Sequence, residues 1–220
     1  MALCSRSLTA WLFLLSAIAA SAQQSAPIVQ PGAPGQPGRF LNETTVRTPP
    51  RPPFKADVEF MQGMIMHHSQ AVEMVALLRT RGKNPVLKSF GEKIAVSQTD
   101  EIGFMTRWLE SRGKPTTMEM DHSHMSAAEM KNMNMNMLMP GMLTPEQMAA
   151  LKKARGAQFD HLFLTGMIQH HGGALTMVDD LFNTPGAGQD PVLFDFATDI
   201  ENTQSAEIKI MRGMLDKEKQ

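Results

Sequence analysis

The amino-acid sequence contains one stretch twice, and this repeat constrains the fold more than any other feature. Residues 57–78 read DVEFMQGMIMHHSQAVEMVALL, and residues 160–181 read DHLFLTGMIQHHGGALTMVDDL. At an offset of 103 residues, the pair His67-His68 aligns with His170-His171. A duplicated core explains the repeated apolar positions, whereas a repeated His-His pair flanked by methionines points to soft-metal chemistry.

Each copy of the repeat predicts a helix, because its apolar residues fall at steps of three and four. The first helix is predicted over about 55–81, with Gly82 at its end. Asn84 as a cap and Pro85 as the first residue predict a second helix that reaches about 111. Thr144 and Gln147 form a capping-box pattern that starts a short helix. Two further long helices are predicted over about 157–182 and 191–217.

The second helix of each pair is duplicated as well, at an offset of 106 residues. Three polar or sulfur-bearing positions recur: Gln98, Glu101 and Met105 as Gln204, Glu207 and Met211. The repeated unit is therefore a helical hairpin, and two stacked hairpins bury both apolar stripes. The predicted fold class is all-α, a four-helix bundle over 54–218 that is built from two duplicated hairpins.

The first 53 residues lie outside this bundle. Residues 1–22 are typical of a secretory signal, with an apolar run over 8–20 and the small-residue cleavage site Ala20-Ser21-Ala22. Residues 23–53 are rich in Pro, Gly, Gln and Ser, which predicts a disordered linker. We expect a periplasmic or secreted protein without stable membrane insertion after signal removal; an uncleaved anchor is the alternative. Cleavage would remove Cys4, the one cysteine, and leave Met and His as soft ligands.

Residues 116–142 interrupt the helical pattern between the two hairpins. Nine of these 27 residues are Met and two are His. Thioether sulfur is neutral and soft, so it favours Cu(I) or Ag(I), and the two histidines also suit Cu(II). The candidate ligands of this loop are Met118, Met120, His122, His124, Met125, Met133, Met135, Met137 and Met139. The alternative is a low-complexity loop with accidental Met enrichment.

The repeated hairpins supply a second set of candidate ligands. On a helix, Met64 lies about one turn from His67 and His68, and adjacent side chains point about 100° apart. One histidine of each pair is therefore expected to face the bundle, and the other a neighbouring helix or solvent. Gln98 and Glu101 are candidates to orient an imidazole through its second nitrogen, and Met105 reaches the same region. The equivalent positions of the second hairpin are Met167, His170, His171, Gln204, Glu207 and Met211.

Some of these residues also have a purely structural explanation. Methionine fills gaps in apolar cores, and this accounts for Met74, Met177 and Met214. Asp57 and Asp160 are explained by the favourable interaction of a negative charge with the first turn of a helix.

Other chemistries find less support in the sequence. A net charge of −1 argues against nucleic-acid binding. A mature chain without cysteine has no thiolate nucleophile and no blue-copper site. The four long predicted helices carry no Glu-x-x-His pair of the di-iron type. A non-covalent haem with His and Met ligands stays open.

With these residues in hand, the chain resembles a bacterial family known as a domain of unknown function. Its mark is a duplicated hairpin with the motif F-x-x-x-M-I-x-H-H-x-x-A-x-x-M, which both copies match over 60–74 and 163–177. The resemblance covers about residues 55–217. It implies a ferritin-like fold, and the family includes CopM-type periplasmic copper-binding proteins. The ligands implied by the resemblance are Met64, His67, His68 and Met105, with Met167, His170, His171 and Met211.

The sequence thus predicts an exported, non-enzymatic protein that sequesters Cu(I), or also Cu(II), or hands it on, with Ag(I) as a surrogate. Its expected role is copper tolerance or homeostasis, and its expected partners are metal ions and another exported copper-handling protein. Two alternatives stay open. One is a copper-dependent oxidoreductase, and the other is an interaction module in which the His pairs are structural.

Overall fold

The structure, a computed structural model, describes residues 28–30, 37–41, 52–118 and 138–218. The chain divides into two compact units, Met1–Arg51 and Pro52–Gln220. In the first unit, strand β1 (Ile28–Gln30) pairs antiparallel with strand β2 (Arg39–Leu41), and Val29 lies opposite Phe40. The composition of residues 23–53 does not indicate these strands.

The second unit is helical. Over its described residues, the elements are α1 (Lys55–Arg81), α2 (Pro85–Glu110), α3 (Pro145–Lys153), α4 (Gly156–Asn183) and α5 (Pro191–Glu218). The four long helices form the predicted four-helix bundle of two hairpins, α1–α2 and α4–α5. Their ends agree with the sequence prediction to within one residue. No helix in the described ranges is both long and apolar enough to span a membrane.

Side-chain caps fix where the helices begin. Asn84 accepts a hydrogen bond from the backbone N–H of Val86 at the start of α2, over 2.9 Å. Asp190 does the same for Val192 at the start of α5, also over 2.9 Å. Thr144 opens α3 with the predicted capping box. The matching caps of α2 and α5 show that the duplication extends to the turns.

The helices pack so that both repeats lie at the centre of the bundle. Helix α1 packs against α2 and α4, and α4 packs against α5. Helices α2 and α5 meet through stacked rings of Phe104 and Phe196, whose centroids are 4.4 Å apart. Because α1 and α4 are direct neighbours, their two His-His pairs come together.

Two buried aspartates connect each hairpin to the turn of the other. Asp57 of α1 accepts a hydrogen bond from the Gly188 N–H in the α4–α5 turn over 2.8 Å. Asp160 of α4 accepts from the N–H groups of Lys83 and Asn84 in the α1–α2 turn, over 3.0 and 2.9 Å. Asp160 lies outside the first turn of α4. The favourable interaction with the first turn of a helix therefore does not explain Asp160. For Asp57 it is only part of the explanation, because Asp57 also binds the turn of the other hairpin through Gly188.

The apolar core has two parts. One cluster contains Met64 and Met105, and the other contains Met167 and Met211. Besides Gln62 and the two aspartates, six further buried polar residues form a layer that we call the polar layer: His67, His68, Gln98, His170, His171 and Gln204. Burying polar groups in such a layer costs free energy unless those groups form hydrogen bonds.

Candidate metal centre

The first histidine of each pair faces its counterpart across the α1–α4 interface. The rings of His67 and His170 have centroids 3.7 Å apart and planes inclined by 39°. Both side chains are fully buried. The duplication thus places two imidazoles in direct contact at the centre of the bundle.

The second histidine of each pair points to the partner helix of its own hairpin. His68 Nε2 lies 2.6 Å from Glu101 Oε2 of α2, and His171 Nε2 lies 2.7 Å from Glu207 Oε2 of α5. Ser97 Oγ donates to the other oxygen of Glu101 over 2.8 Å. Both outer histidines are as fully buried as the central pair. All four imidazoles therefore lie in the polar layer, each with a fixed direction.

Hydrogen bonding fixes the tautomer of the central pair. His67 Nε2 donates to the Pro140 carbonyl over 3.0 Å, and His170 Nε2 donates to the His67 carbonyl over 2.8 Å. Carbonyl and carboxylate oxygens only accept hydrogen bonds, so the proton of each ring lies on Nε2. In a neutral imidazole the Nδ1 atom then keeps its lone pair.

The four Nδ1 atoms are the distinctive feature of the site. Each is fully buried, and none has a hydrogen-bond partner among the described residues: Nδ1 of His67, His68, His170 and His171. A metal-binding histidine commonly donates the N–H of its second ring nitrogen to a carboxylate or a backbone carbonyl, and the Nε2 atoms of these four rings have such partners.

Burial also keeps the central pair uncharged. It lowers the pKa of His67 to about 3, helped by the positive charge that a protonated His68 would carry. Burial, and then the neighbouring His67, hold the pKa of His170 well below its usual value of 6.5. Both rings are neutral near pH 7, and a histidine must be neutral to bind a metal ion.

Four buried methionines border the polar layer. Met64 and Met167 precede the central histidines by three residues, and Met105 and Met211 follow the two glutamates by four residues. All four side chains are fully buried. Each half of the bundle thus combines two imidazoles, one carboxylate and two thioethers within about one helical turn.

The two glutamines of the layer behave differently from the glutamates. Gln98 Oε1 and both polar side-chain atoms of Gln204 are buried and find no hydrogen-bond partner in the part of the chain that the structure describes. They line the layer, but they do not orient an imidazole there. Nor do the described residues contain a group of three or more His, Cys, Asp or Glu side chains arranged to hold a metal ion. A site in this layer therefore depends on methionine sulfur.

Only the ends of the Met-rich segment belong to the described residues. Met118 and Met139 are half-buried, and both lie next to Gly63 of α1. The other predicted loop ligands lie outside the described residues: Met120, His122, His124, Met125, Met133, Met135 and Met137.

A short stretch just before α3, residues 139–143, covers the central histidines, and the sequence analysis did not identify it. We call it the strap. The Pro140 carbonyl binds His67, and the Leu143 backbone N–H and C=O both bond to the Gln70 side chain, over 2.7 and 3.0 Å. Gly141 has a φ of +76° and lies against Gly173 of α4. The adjacent Gly172-Gly173 in the second repeat was the available signal for this close contact.

A family model described as "Domain of unknown function (DUF305)" matches residues 57–215, well over half of the chain. The uncharacterized protein L153 of Acanthamoeba polyphaga mimivirus is 37% identical over 59 residues, which is 27% of this chain. The match spans 39% of the length of that relative.

Solved structures of similar fold include a DUF305 fragment from Deinococcus radiodurans, 28% identical with a TM-score of 0.62, over 76% of this chain and 99% of the fragment. A Streptomyces coelicolor DUF305 protein, whose description presumes it to be secreted, is 29% identical with a TM-score of 0.59. The match covers 74% of this chain and 93% of that protein's chain. CopM in its Cu(I)-bound form is 26% identical with a TM-score of 0.54, and the match covers 73% of this chain and 96% of the CopM chain. CopM has also been solved with Cu(II) and with Ag bound.

Proposed function

We propose that this chain, which belongs to the DUF305 family, is an exported copper-binding protein that holds Cu(I) in the polar layer of its bundle. The observation that carries the proposal is the set of four buried Nδ1 atoms without a hydrogen-bond partner among the described residues, two of them on the neutral rings of His67 and His170. The likeness to CopM supports copper binding for this fold, because that protein was solved with copper and with silver bound.

Energetics favour a ligand over a purely structural role. A buried polar atom without a partner costs about 1–3 kcal/mol. Four such nitrogens in one layer are a large penalty for a domain whose total stability is about 5–15 kcal/mol. Metal ions bound at these nitrogens, with methionine sulfur as a further ligand, would remove the penalty, whereas apolar residues of the same size would have avoided it.

The donor set favours Cu(I). Neutral imidazole and neutral thioether leave the ion with its own single charge, and they provide soft ligands in a protein interior. Ag(I) is the surrogate of the same charge and softness. Cu(II) fits the nitrogen donors better than the sulfur donors, so we expect it to bind more weakly.

The role that fits this site is storage or transfer of copper outside the cytoplasm. The signal-like residues 1–22 support export. The Met-rich loop between the hairpins adds further soft donors, which suit the capture of ions or their transfer to another exported copper-handling protein. We propose no catalytic step.

Titration of the mature protein with Cu(I) under anaerobic conditions tests the proposal. We expect tight uptake by the wild-type chain and a reduced number of ions in the double variant His67→Phe/His170→Phe. His161→Gln is the control, because the His161 side chain is 58% exposed and lies away from the polar layer. Uptake by the wild type no greater than that of a Met-poor control protein would refute the proposal.

The same variants separate copper binding from the two alternatives. If the His pairs only hold a docking surface together, the double variant keeps its copper stoichiometry and loses stability. If the protein is an oxidoreductase, the wild type consumes oxygen in a copper-dependent way and the double variant does not. Copper uptake without oxygen consumption is the result expected here.

A further inference from the structure

Three methionine side chains converge on one buried glycine of α1. The point where a Cβ on Gly63 would lie is 3.1 Å from Met139 Sδ, 3.2 Å from Met118 Cε and 3.4 Å from Met177 Cε. Met118 and Met139 are half-buried, and Met177 is 8% exposed. The missing side chain of Gly63 thus leaves a small cradle that is lined by thioether groups from three parts of the chain.

The second repeat contains the same cradle without this chemistry. Gly166 is the counterpart of Gly63, and its Cβ position is 3.0 Å from Leu143 Cδ2 and 3.3 Å from Met74 Cε. Met74 and Met177 are themselves counterparts in the repeat. Where the second cradle is closed by one leucine, the first is closed by two methionines. Packing alone does not require those sulfurs, since leucine fills the equivalent place.

Hydrogen bonds hold the two contributing ends of the Met-rich segment in place. Gln62 Nε2 donates to the carbonyls of Pro115 and Thr117, over 2.8 and 3.1 Å, just before Met118. The strap bond from His67 to Pro140 fixes the residue that follows Met139. These contacts preorganise both methionines, which reduces the entropy lost when they bind an ion.

We propose that Met118, Met139 and Met177 form a separate three-thioether site for a soft monovalent cation, Cu(I) or Ag(I), over Gly63. Three neutral sulfur donors select such an ion over Zn(II), Mg(II) or Ca(II). Gly63 is four residues before His67, about 6 Å along the helix. The site therefore lies where the two described ends of the Met-rich segment meet the bundle, about one helical turn from His67. It deepens the proposed copper function and rests on it.

Methionine methyl NMR of the full mature chain with Ag(I) tests the site. Single Met→Leu variants assign the methyl signals of Met118, Met139 and Met177. We expect these three signals to shift together, at the same Ag(I) equivalent, while the Met74 signal in the second cradle does not follow them. Three signals that stay unshifted, or that shift at different equivalents, would overturn the site.

A second pair of variants tests the cradle itself. A methyl group at Gly63→Ala points at the three thioethers, so we expect it to lower the Ag(I) affinity of this site by at least about tenfold. Gly166→Ala makes the same change among apolar atoms and should leave the affinity unchanged. Equal affinities in both variants would contradict the proposal, and circular dichroism checks that both remain helical.

The two proposals fail in different ways. If the wild type binds no Ag(I) or Cu(I), both the copper function and this site are refuted. If the wild type loads and His67→Phe/His170→Phe loses ions, but Met118→Leu/Met139→Leu/Met177→Leu loads like the wild type, only the three-thioether site is refuted.

Discussion

The imidazoles of His67 and His170 are in contact, with ring centroids 3.7 Å apart, at the centre of a bundle that shields both from water. The Nε2–H of each ring donates a hydrogen bond to a backbone carbonyl. Two imidazoles in contact in a dry interior cannot both be protonated without strong mutual repulsion. Both rings are consequently neutral near pH 7.

The stability of the metal-free protein should fall as the pH decreases. The pKa of His67 drops from 6.5 in the unfolded chain to about 3 in the fold, and that of His170 also drops well below 6.5. The unfolded chain therefore binds more protons below pH 6.5, and stability is lost as the pH falls from about 6.5 toward 3. Each histidine contributes a slope of up to about 1.4 kcal/mol per pH unit.

Urea unfolding at several pH values, with a chelator present, measures this slope. His170→Phe should flatten it, because one titrating group is removed. His161→Gln should not, because the exposed His161 is not part of the pair. An unfolding midpoint that stays constant between pH 7 and pH 4 would be incompatible with two buried neutral rings.

Much of the fold followed from local signals in the sequence. The periodicity of the repeats, Asn84 with Pro85 and the Thr144 capping box act within a few residues, and each predicted a helix or its start correctly. The duplication then predicted the pairing of helices, because two similar hairpins bury their apolar stripes most simply against one another.

Features that join distant residues could not be predicted in the same way. Whether His67 or His68 faces the other hairpin depends on how α1 is rotated against α4, and helical spacing alone allows either. The contact between Asp160 and the α1–α2 turn depends on where the second hairpin lies relative to the first. The contact between the strap and His67 joins residues that are 73 positions apart in the sequence, so local patterns do not predict it.

Glu101 and Glu207 should contribute equally to copper affinity. Each carboxylate accepts a hydrogen bond from the Nε2–H of an outer histidine and stabilises the positive charge that a bound ion places on the ring. Glu101→Gln and Glu207→Gln keep an acceptor oxygen but lose the charge. We expect each to weaken Cu(I) binding by about 10- to 100-fold, as measured by competition with a Cu(I) chelator.

Glu92→Gln is the matched control for these two variants. Glu92 also lies on α2, but its side chain is 47% exposed and pairs with Arg79 at the surface. This substitution should leave copper affinity unchanged. If Glu92→Gln weakened binding as much as Glu101→Gln, the effect would reflect overall charge rather than orientation of the imidazole.

Asp160→Ala should destabilise the protein more than Asp57→Ala. Asp160 accepts hydrogen bonds from two backbone N–H groups of the α1–α2 turn, whereas Asp57 accepts one from the α4–α5 turn, that of Gly188. We expect a loss of about 3 kcal/mol for Asp160→Ala and about half of that for Asp57→Ala, as measured by urea unfolding. Asp179→Ala, at an exposed position of α4, should be nearly neutral.

Asp57→Asn should cost less than Asp57→Ala at pH 7. Burial raises the pKa of the Asp57 carboxyl above its usual 3.8, so its ionisation lowers stability as the pH rises through the folded-state pKa. Asparagine keeps the acceptor for Gly188 and carries no charge to desolvate. A larger loss for Asp57→Asn than for Asp57→Ala would show that the negative charge itself holds the turn.

Gly173→Ala should disrupt the strap. A Cβ at this position would lie within van der Waals overlap of the Pro140 carbonyl oxygen and the Gly141 Cα, both of them backbone atoms. The strap must then move away from α4, and the hydrogen bond from His67 to Pro140 lengthens or breaks. We expect a loss of about 3 kcal/mol in the free energy of unfolding and faster amide hydrogen exchange at Leu143.

The neighbouring residue provides the control for this change. Gly172 has open space around its Cβ position. Because alanine is the better helix former, Gly172→Ala should stabilise the protein by up to about 1 kcal/mol. Opposite signs at two adjacent glycines of one helix can arise only from the strap, since helix propensity is the same for both. Stabilisation by Gly173→Ala as well would mean that the strap does not lie against α4 in solution.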